Sequence, residues 1–558
     1  MSERRFRINR NTLLRDIIKN YAEIVGDRTF LTYVKDFDNG IDETYTFKDI
    51  HVMSNKIGNG LLSLGLNKGD GIALMDVNSP AFLLSVFGGF KIGTYTILVN
   101  TGLKGESLRY ILDHSDAKAI IINWRFLEEF MKIKGDLPKL THIIVDDDGM
   151  PVDAILPESP VFLRAMEDEA SEENITASIT PADMCMLMYT AGTTGLPKGI
   201  MFWQGKLLGG YNLQALSMVA KFLVRPNDVL YTPLPLFHSN ALFLSSFAAY
   251  INKVPLILAE KFSASRHWDI CRRYNVTTFN MLGAMASILM KQPERPDDKD
   301  HQVSRIYSAA CPMALWLAFE ERFGTKLEEN YGATDGGGFA LYTFGFKDVP
   351  VGTMGKPMGG VVVEIQDEDG TIVHEPGAIG ELVFLVRENE KDQRAVTYYK
   401  DEESSENLIQ RGAEGQLWFH TGDLAYKDQN GWLFYVDRKK DMIRRRGENI
   451  ASLSIENVIL QNEKILEVAA YGVKTELGED DVMVSIVLKP DMEMTPDELV
   501  DFCNGKMADF MIPRFIRFVD ALPKNEVHRV LKAELKETGV TPDTFDREQQ
   551  ETLEYNKD

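Results

Sequence analysis

Short apolar runs alternate with helix-patterned segments along the first third of the chain. "TFKDIHVMSNKIGNGLLSLG" carries apolar residues at helical spacing, with Thr46 as the expected N-cap and Asp49 three residues later. "PAFLLSVFGGFKIG" and "GESLRYILDHS" also predict helices, whereas "GIALMDV", "YTILV" and "AKAIIIN" predict short buried strands. Buried strands that alternate with helices indicate a parallel sheet covered on both faces.

The pattern changes twice further along the chain. From about Val361, strands such as "GGVVVEIQD" and "GELVFLV" follow one another closely and predict a β-rich subdomain. After the charged segment Asp437–Lys440 the units become short and mixed, as in "ILEVAAYGVK" and "PDELVDFCNGKM". We predict an α/β fold with a large N-terminal domain over residues 1–437, made of parallel-sheet layers and the β-rich subdomain. A small, mobile α+β C-terminal domain follows over residues 438–558, and we expect the acidic tail after Leu535 to fray.

Composition limits the classes of protein to consider. The chain has 558 residues, of which 44% are hydrophobic and 26% charged, as in ordinary globular proteins of more than one domain. No apolar run is long enough to span a membrane, and no signal peptide opens the sequence. The net charge of −22 argues against nucleic acid as a partner. Four scattered cysteines indicate neither a zinc site nor disulfides, so we expect a cytoplasmic protein without integral membrane association.

One loop is unusually rich in groups that bind anions. "YTAGTTGLPKGI", from Tyr189 to Ile200, holds three threonines, three glycines and one lysine directly after the apolar run "MCMLM". Glycines allow backbone N–H groups to approach an anion, while threonine hydroxyls and the lysine add donors. The loop is not a Walker A loop, because Pro197 stands where the second glycine belongs. A polyphosphate site and a flexible surface turn are the two interpretations.

Five motifs in order resemble those of the adenylate-forming superfamily, which includes acyl-CoA ligases, adenylation domains of peptide synthetases and beetle luciferases. They are "YTAGTTGLPKG", "PLFHSNAL", "ENYGATD", "WFHTGDLAY" and "DRKKDMIRRRGENI". The segments "FSASRHWDICRRYNVT", "RVLKAEL" and "GVTPDTFDRE" look closest to the carnitine–CoA-ligase-like branch of this superfamily. The resemblance implies a carboxylic acid–CoA ligase that uses ATP, Mg²⁺ and coenzyme A, forms an acyl-adenylate and releases AMP and pyrophosphate. Members of the family often form homodimers, so the resemblance also implies a homodimer.

The resemblance implies roles for residues around the nucleotide. The β- and γ-phosphates would be bound by Thr190, Gly192, Thr193, Thr194, Gly195 and Lys198. Other nucleotide contacts would come from Ala309, Ala310, Tyr331, Gly332, Thr334, Asp423, Arg438, Lys440, Gly447 and Glu448. Tyr331 would stack on adenine, and the Asp423 carboxylate would accept hydrogen bonds from the ribose hydroxyls with support from Arg438. Thr194 and Asp335 would hold Mg²⁺, with Asp335 in place of the usual glutamate.

Further roles concern the acyl group and the domain swing. His238 would stand between the acyl pocket and the adenylate, although a lone histidine is otherwise more often a core residue. Lys440 would be the pivot of the small domain, and the charges of Arg445 and Arg446 could serve the phosphates of CoA. Relatives carry a glycine-lysine pair near the C-terminus, where this chain has His528 and Arg529.

Two questions stay open: which residue replaces the family's lysine, and which class of acid is the substrate. Arg529 or Lys532 would supply the missing lysine's charge, and the alternative is surface charge on a helix. The pocket segments "MLGAM" and "GGG" favour a bulky aromatic, alicyclic or medium-chain acid. A zwitterion such as carnitine remains possible if Trp203 or Phe243 forms an aromatic cage. Rival functions are an enzyme with a non-CoA acceptor and a weakened nucleotide-binding regulator.

Overall fold

The computed structural model describes most of the chain, and its contacts divide it into two compact units. The described residues are 6–9, 11–152, 154–190, 197–207, 216, 220–221, 223–333, 338–386, 397–412, 415–445, 448–474, 480–525 and 530–548. The first unit comprises Met1–Ala309, Glu320–Ala340 and Val386–Gln410, and the second comprises Ala310–Phe319, Leu341–Leu385 and Arg411–Asp558. The predicted domain boundary after Asp437 stays a prediction.

Strands and helices alternate through the first unit and strands dominate the second. The strands are β1 Thr29–Asp36, β2 Ile41–Thr46, β3 Gly71–Met75, β4 Tyr95–Leu98, β5 Ala117–Asn123, β6 His142–Asp146, β7 Val161–Phe162, β8 Met184–Thr190, β9 Lys198–Trp203, β10 Leu230–Thr232, β11 Leu256–Ala259, β12 Thr278–Leu282, β13 Arg305–Ala309, β14 Lys326–Ala333, β15 Gly338–Tyr342, β16 Thr353–Pro357, β17 Val363–Gln366, β18 Ile379–Val386, β19 Ile409–Arg411, β20 Leu417–Lys427, β21 Leu433–Arg438, β22 Ile443–Arg445, β23 Glu448–Ile450, β24 Ile465–Lys474, β25 Asp480–Leu488, β26 Phe515–Phe518 and β27 Phe545–Asp546. The α-helices are α1 Leu14–Ile24, α2 Phe47–Ser63, α3 Pro80–Ile92, α4 Gly105–His114, α5 Leu127–Ile133, α6 Leu163–Glu169, α7 Ala248–Asn252, α8 His267–Arg273, α9 Gly283–Met290, α10 Met313–Phe323, α11 Glu402–Asn407, α12 Ser452–Ile459, α13 Pro496–Cys503 and α14 Lys532–Thr538.

The first unit contains two sheets of mainly parallel strands. One has the order β7-β6-β5-β3-β4-β8-β9, in which the last strand is antiparallel to β8 and the others run parallel. The other passes through β14-β13-β12-β10-β11-β1-β2, where β2 alone runs antiparallel to its neighbour. Ile97, Ile120, Leu187 and the helix residue Phe130 are fully buried in one core. These parallel strands and the helices between them confirm the predicted α/β fold. Parallel strands are hydrophobic on both faces, so helices must cover both faces of the sheet.

Local sequence signals determine where α2 begins and where α3 begins and ends. The N-cap Thr46 accepts a hydrogen bond from the Asp49 backbone at 3.1 Å, and the Asp49 carboxylate accepts one from the Thr46 N–H at 2.8 Å. Ser79 caps α3 in front of Pro80, and Gly93 ends that helix with φ of 82°. Each contact satisfies a backbone group that a helix terminus leaves unpaired, so these boundaries follow from sequence alone.

The second unit consists of an antiparallel sheet and a smaller α+β body. The antiparallel sheet follows β17-β18-β20-β21-β16, and the smaller body contains the sheet β24-β25-β26-β27. Ile455, Val484, Leu499 and Ile516 are buried together between that small sheet and its helices. The β-rich segment and the α+β segment are therefore present where the sequence predicts them.

The C-terminal tail is ordered further than predicted. Instead of fraying after Leu535, the chain forms α14 and then β27, which pairs antiparallel with β26. Arg514 binds Asp546 through Nε at 3.0 Å and Glu548 through Nη1 at 3.0 Å. The prediction of fraying is wrong up to residue 548, because it considered acidic composition without the arginine that binds these carboxylates.

Within the described part of the chain, no helix combines the length and the apolar character needed to cross a lipid bilayer.

Candidate functional site

The threonine- and glycine-rich segment closes a hairpin at the edge of a parallel sheet. β8 runs parallel to β4 and is followed by the antiparallel β9, with Thr190 opposite Lys198. The loop therefore begins where a parallel strand ends, the usual place for ligands in α/β sheets. Gly192, Thr193, Thr194 and Gly195 lie outside the described residues, so the structure gives positions only for the two ends of the hairpin.

Lys198 contacts a segment that sequence reasoning missed. Its Nζ donates to Ser404 Oγ, lies 3.3 Å from Asp401 Oδ2 and stands 5.2 Å from the centre of the Tyr398 ring. The segment lies beside β9, since the Tyr399 N–H donates to the Gly199 carbonyl at 2.7 Å. No local pattern could reveal this pairing, because it joins parts of the chain that are far apart in sequence.

The second sheet of this unit ends its strands beside other predicted site residues. β10, β12, β13 and β14 are parallel, so their carboxyl ends share one edge. Ala309 ends β13, and Tyr331 and Gly332 lie near the end of β14. The Asn330 side chain donates to the Ser308 carbonyl at 2.7 Å and ties these two ends together. Thr334 and Asp335 lie outside the described residues.

Ala310 has a conformation that alanine rarely adopts. Its φ is 61°, in the left-handed region. Such backbone costs free energy in a residue with a Cβ and occurs preferentially at functional sites. The predicted role of Ala309 and Ala310 as nucleotide contacts stays a prediction.

His238 lies in a fixed loop and is neutral near pH 7. Burial lowers its pKa to about 4. The loop is held by Asn78, which accepts from the Leu236 N–H at 2.8 Å and donates to the Leu234 carbonyl at 2.9 Å. The ring centre of Phe237 is 4.6 Å from that of His238. His238 can therefore act as an uncharged polar ring, but not as a cation, at neutral pH.

Phe243 is not available for the aromatic cage that a zwitterionic acid would need. Phe243 is fully buried, with ring centres of Phe202 and Phe247 at 5.5 and 5.3 Å. Both ring contacts are internal to the core, so Phe243 has no free face for a quaternary ammonium group. The expectation for Phe243 is wrong, because an apolar run does not reveal which of its rings the fold covers.

In the second unit, Asp423 and Arg438 meet on neighbouring strands. They are directly opposite in the β20–β21 pair, and Arg438 Nε lies 2.6 Å from Asp423 Oδ1. Asp423 is buried, whereas the Arg438 side chain is one-third exposed. The two residues predicted to bind one ribose are thus adjacent.

Glu381 supports this pair and was not foreseen. Its Oε1 accepts from the Gly422 N–H at 3.0 Å, and its Oε2 lies 2.9 Å from Lys439 Nζ and 3.3 Å from His420 Nδ1. Burial raises the pKa of Glu381, but the hydrogen bonds from His420 and Lys439 outweigh burial and bring it to about 2. The Glu381 carboxylate is therefore ionised at neutral pH and binds the turn just before Asp423.

The expected pivot, Lys440, lies in the short helical turn Lys439–Asp441 with an ion pair on each side. Lys439 binds Glu381, and Asp441 Oδ1 lies 3.3 Å from Lys536 Nζ, which also donates to the Lys440 carbonyl at 3.3 Å. The pivot role of Lys440 stays a prediction.

Lys532 is bound within the small body. Its Nζ lies 2.8 Å from Glu456 Oε1 and donates to Ser452 Oγ at 2.5 Å. Ser452 in turn donates to Asp437 Oδ2 from both its N–H and its hydroxyl, each at 2.6 Å. This arrangement gives Lys532 a structural partner, while Arg529 lies outside the described residues.

The basic run after the pivot is partly internal. Arg445 is 3% exposed and binds Asp481 at 2.5 Å and the Phe510 carbonyl at 3.0 Å. It is therefore part of the fold, and the expectation that it serves CoA is wrong. Glu448 lies opposite Arg445 in the β22–β23 hairpin. Arg446 and Gly447 lie outside the described residues.

No cluster of three metal-binding side chains occurs among the residues that the structure describes. Thr194 and Asp335, the predicted Mg²⁺ ligands, fall outside them.

Two regions of the chain match the sequence profiles of known families. Residues 18–387 match the sequence profile described as AMP-binding enzyme, and residues 454–529 match the profile of the AMP-binding enzyme C-terminal domain. The crotonobetaine/carnitine–CoA ligase of Salmonella paratyphi A is 28% identical over 532 residues, which cover 94% of this chain and 98% of that protein.

Solved structures share the fold. The anthranilate CoA ligase AuaEII in complex with anthranoyl-AMP gives a TM-score of 0.82 at 23% identity, covering 95% of this chain and 98% of that chain. ATP-bound MatB from Rhodopseudomonas palustris gives 0.79 at 21% identity, covering 94% and 98%. The o-succinylbenzoate CoA synthetase MenE of Bacillus subtilis with OSB-AMP gives 0.77 at 24% identity, covering 94% and 98%.

Proposed function

Because the chain belongs to the family of AMP-binding enzymes, we propose that it is an ATP-dependent carboxylic acid–CoA ligase that acts through an acyl-adenylate. The family match also confirms the predicted superfamily and the adenylate-forming class of enzyme. The observation that best supports the proposal is the Asp423–Arg438 pair, which brings a buried carboxylate and a cation together where the resemblance expects the ribose.

In the first half-reaction, a carboxylate oxygen of the acid attacks the α-phosphorus of ATP. The bond from that phosphorus to the oxygen bridging to the β-phosphorus breaks, and pyrophosphate leaves. Charge moves onto phosphate oxygens, so cations and fixed N–H donors contribute most of the stabilisation. Lys198 and the hairpin glycines and threonines are the proposed donors to the β- and γ-phosphates.

In the second half-reaction, the sulfur of CoA attacks the acyl carbon and forms the thioester bond. The bond from that carbon to the oxygen bridging to phosphorus breaks, AMP leaves with that oxygen, and the thiol proton is released to solvent. The nucleotide site concerns only the first half-reaction, so support for CoA as the acceptor comes from elsewhere. The relatives named above as CoA ligases support it.

Mg²⁺ would be held by Thr194 and Asp335 and would neutralise charge on the phosphates when bound. Hydroxyl and carboxylate oxygens are the donors that Mg²⁺ prefers, so the donor set fits a hard cation. An Asp335→Asn variant would require more Mg²⁺ for half-maximal activity, measured at fixed ATP.

For the charge at the reacting carboxylate, we favour Arg529 over Lys532. Lys532 is held by Glu456 at 2.8 Å, and moving it away would leave that largely covered carboxylate without its cation. Arg529 provides the same charge with a two-pronged donor that suits carboxylate and phosphate oxygens. In pyrophosphate release, Arg529→Ala is expected to be slower than Lys532→Ala after correction for folded protein.

The acid is proposed to be bulky and largely uncharged, such as an aromatic acid. The neutral ring of His238 supports this, because an uncharged gate offers no counter-ion to a second carboxylate. A crotonobetaine- or carnitine-like zwitterion is the second candidate, supported by the relatives from Salmonella.

A direct test uses the purified full chain, ATP, Mg²⁺ and a panel of aromatic, medium-chain and quaternary ammonium acids. Without CoA, one acid should yield bound acyl-adenylate and one pyrophosphate per chain. With CoA, mass spectrometry should detect the acyl-CoA thioester. ATP binding without pyrophosphate release over the whole panel would favour the regulator instead, and adenylate without thioester would favour another acceptor.

A further inference from the structure

The lysine of the phosphate hairpin already has an anionic partner in this structure. Lys198 Nζ lies 3.3 Å from Asp401 Oδ2 and also contacts Ser404 Oγ, so a carboxylate and a hydroxyl bind the ammonium that we propose for phosphate. Lys198 and Asp401 are 39% and 33% exposed in their side chains, which leaves the ammonium accessible to a competing anion.

Asp401 is held in a rigid segment and is not a chance surface neighbour. It caps α11, where its Oδ1 accepts from the Ser404 N–H at 3.0 Å. The Ser405 hydroxyl donates to the Asp401 carbonyl at 2.7 Å and accepts from the Tyr398 N–H at 2.8 Å. Hydrogen bonds from Ser404 lower the pKa of Asp401, and the contact with Lys198 lowers it further, so the carboxylate is ionised at neutral pH.

The segment before Asp401 is also fixed to the sheet. The Met201 N–H donates to the Thr397 carbonyl at 3.0 Å, so the backbone extends along β9. On its other side, the Tyr399 hydroxyl donates to Asp116 Oδ2 at 2.8 Å, and Lys400 Nζ lies 2.6 Å from the same carboxylate. Because the backbone is held on both sides, Asp401 stays within reach of Lys198.

We propose that Asp401 is a positioning residue that holds Lys198 when no polyphosphate is bound and competes with pyrophosphate for it. This inference rests on the proposed function, in which Lys198 binds the β- and γ-phosphates. Pyrophosphate must leave before the second half-reaction can run forward, so a carboxylate that reclaims the lysine favours release of the product. The same competition weakens ATP binding.

The experiment measures binding of inorganic pyrophosphate with Mg²⁺ to the full chain by calorimetry. Asp401→Asn removes the charge but keeps a residue that caps helices well, so α11 should be retained. Because an exposed ion pair contributes modestly, pyrophosphate should bind about threefold to fivefold more tightly to the variant. The KM for ATP should fall while kcat does not rise.

Two controls separate this role from general electrostatics and from a structural effect. Glu403→Gln removes one charge from the same helix at an exposed position and should change the affinity much less. Asp401→Asn in a Lys198→Met background should have no effect beyond that of Glu403→Gln, because the competition needs the lysine.

Each outcome decides the matter. If Asp401→Asn matches Glu403→Gln, or weakens pyrophosphate binding, or acts equally without Lys198, the role of Asp401 is refuted and the ligase proposal stands. If the unaltered chain binds neither pyrophosphate nor ATP, the proposed function itself fails.

Discussion

Arg438 Nε and Asp423 Oδ1 are 2.6 Å apart across the β20–β21 ladder. Their strand register makes them direct neighbours, so the arginine orients the carboxylate that we propose as the ribose ligand. Preorganised groups lose less freedom on binding, which increases affinity without added contacts.

Asp423→Asn should raise the KM for ATP by about tenfold or more, because an amide accepts only half of the hydrogen bonds of a carboxylate and carries no charge. The measurement is an ATP titration of pyrophosphate release. Glu368→Gln, an exposed charge removal in the same unit, is the matched control and should leave the KM close to its original value. An unchanged KM in Asp423→Asn would remove the ribose role from this residue.

Glu381→Gln should weaken ATP binding through its neighbours. Glutamine can still accept from the Gly422 N–H, but it has no charge for Lys439 and His420. We expect the KM for ATP to rise about threefold to tenfold, since charge-assisted hydrogen bonds are worth about 1.5–3 kcal/mol and only part of that loss reaches Asp423. Ribose-free pyrophosphate should bind the variant as well as it binds the original chain. Equal weakening of both ligands would point to general unfolding of the unit.

Lys532→Met should destabilise the small body, because Glu456 would remain buried without its cation. Removing one member of a buried pair costs about 3–5 kcal/mol, and the pair here is mostly covered. Urea unfolding monitors the loss. The double variant Lys532→Met/Glu456→Gln should recover part of it, since no buried charge is then left alone.

The same variant also tests the catalytic alternative. If folded Lys532→Met loses pyrophosphate release at undiminished stability, Lys532 acts on the adenylate and the structural assignment is wrong.

His267 should make the protein less stable in acid. It is fully buried among aromatic rings, and burial lowers its pKa to about 3, from an unfolded value near 6.5. Between these values the unfolded chain binds a proton that the folded chain does not, so this contribution falls as pH decreases from about 6.5 towards 3. His267→Phe should reduce the loss of unfolding free energy between pH 7 and pH 5, measured in urea. An identical loss in both proteins would mean that His267 is not buried in its neutral form.

Local patterns were sufficient for the elements and for the order of the motifs. The Thr46–Asp49 box, the Gly93 helix end and the alternation of short apolar strands each depend on contacts within a few residues, so they can be read without the fold. The hairpin between Thr190 and Lys198 follows from the same kind of signal. The run "RKKDMIRRR" did not indicate that Arg445 would be internal, because a cation's burial depends on a distant acid, here Asp481.

The sequence by itself determined the superfamily, the α/β layering and the candidate residues for the nucleotide site, since these depend on spacing and side-chain chemistry. Only the tertiary structure decided the partners: Asp401 for Lys198, Glu381 for the turn before Asp423, and Glu456 for Lys532. The physical reason is that an ion pair depends on distance in space, and strand pairing brings together residues whose separation along the chain carries no signal.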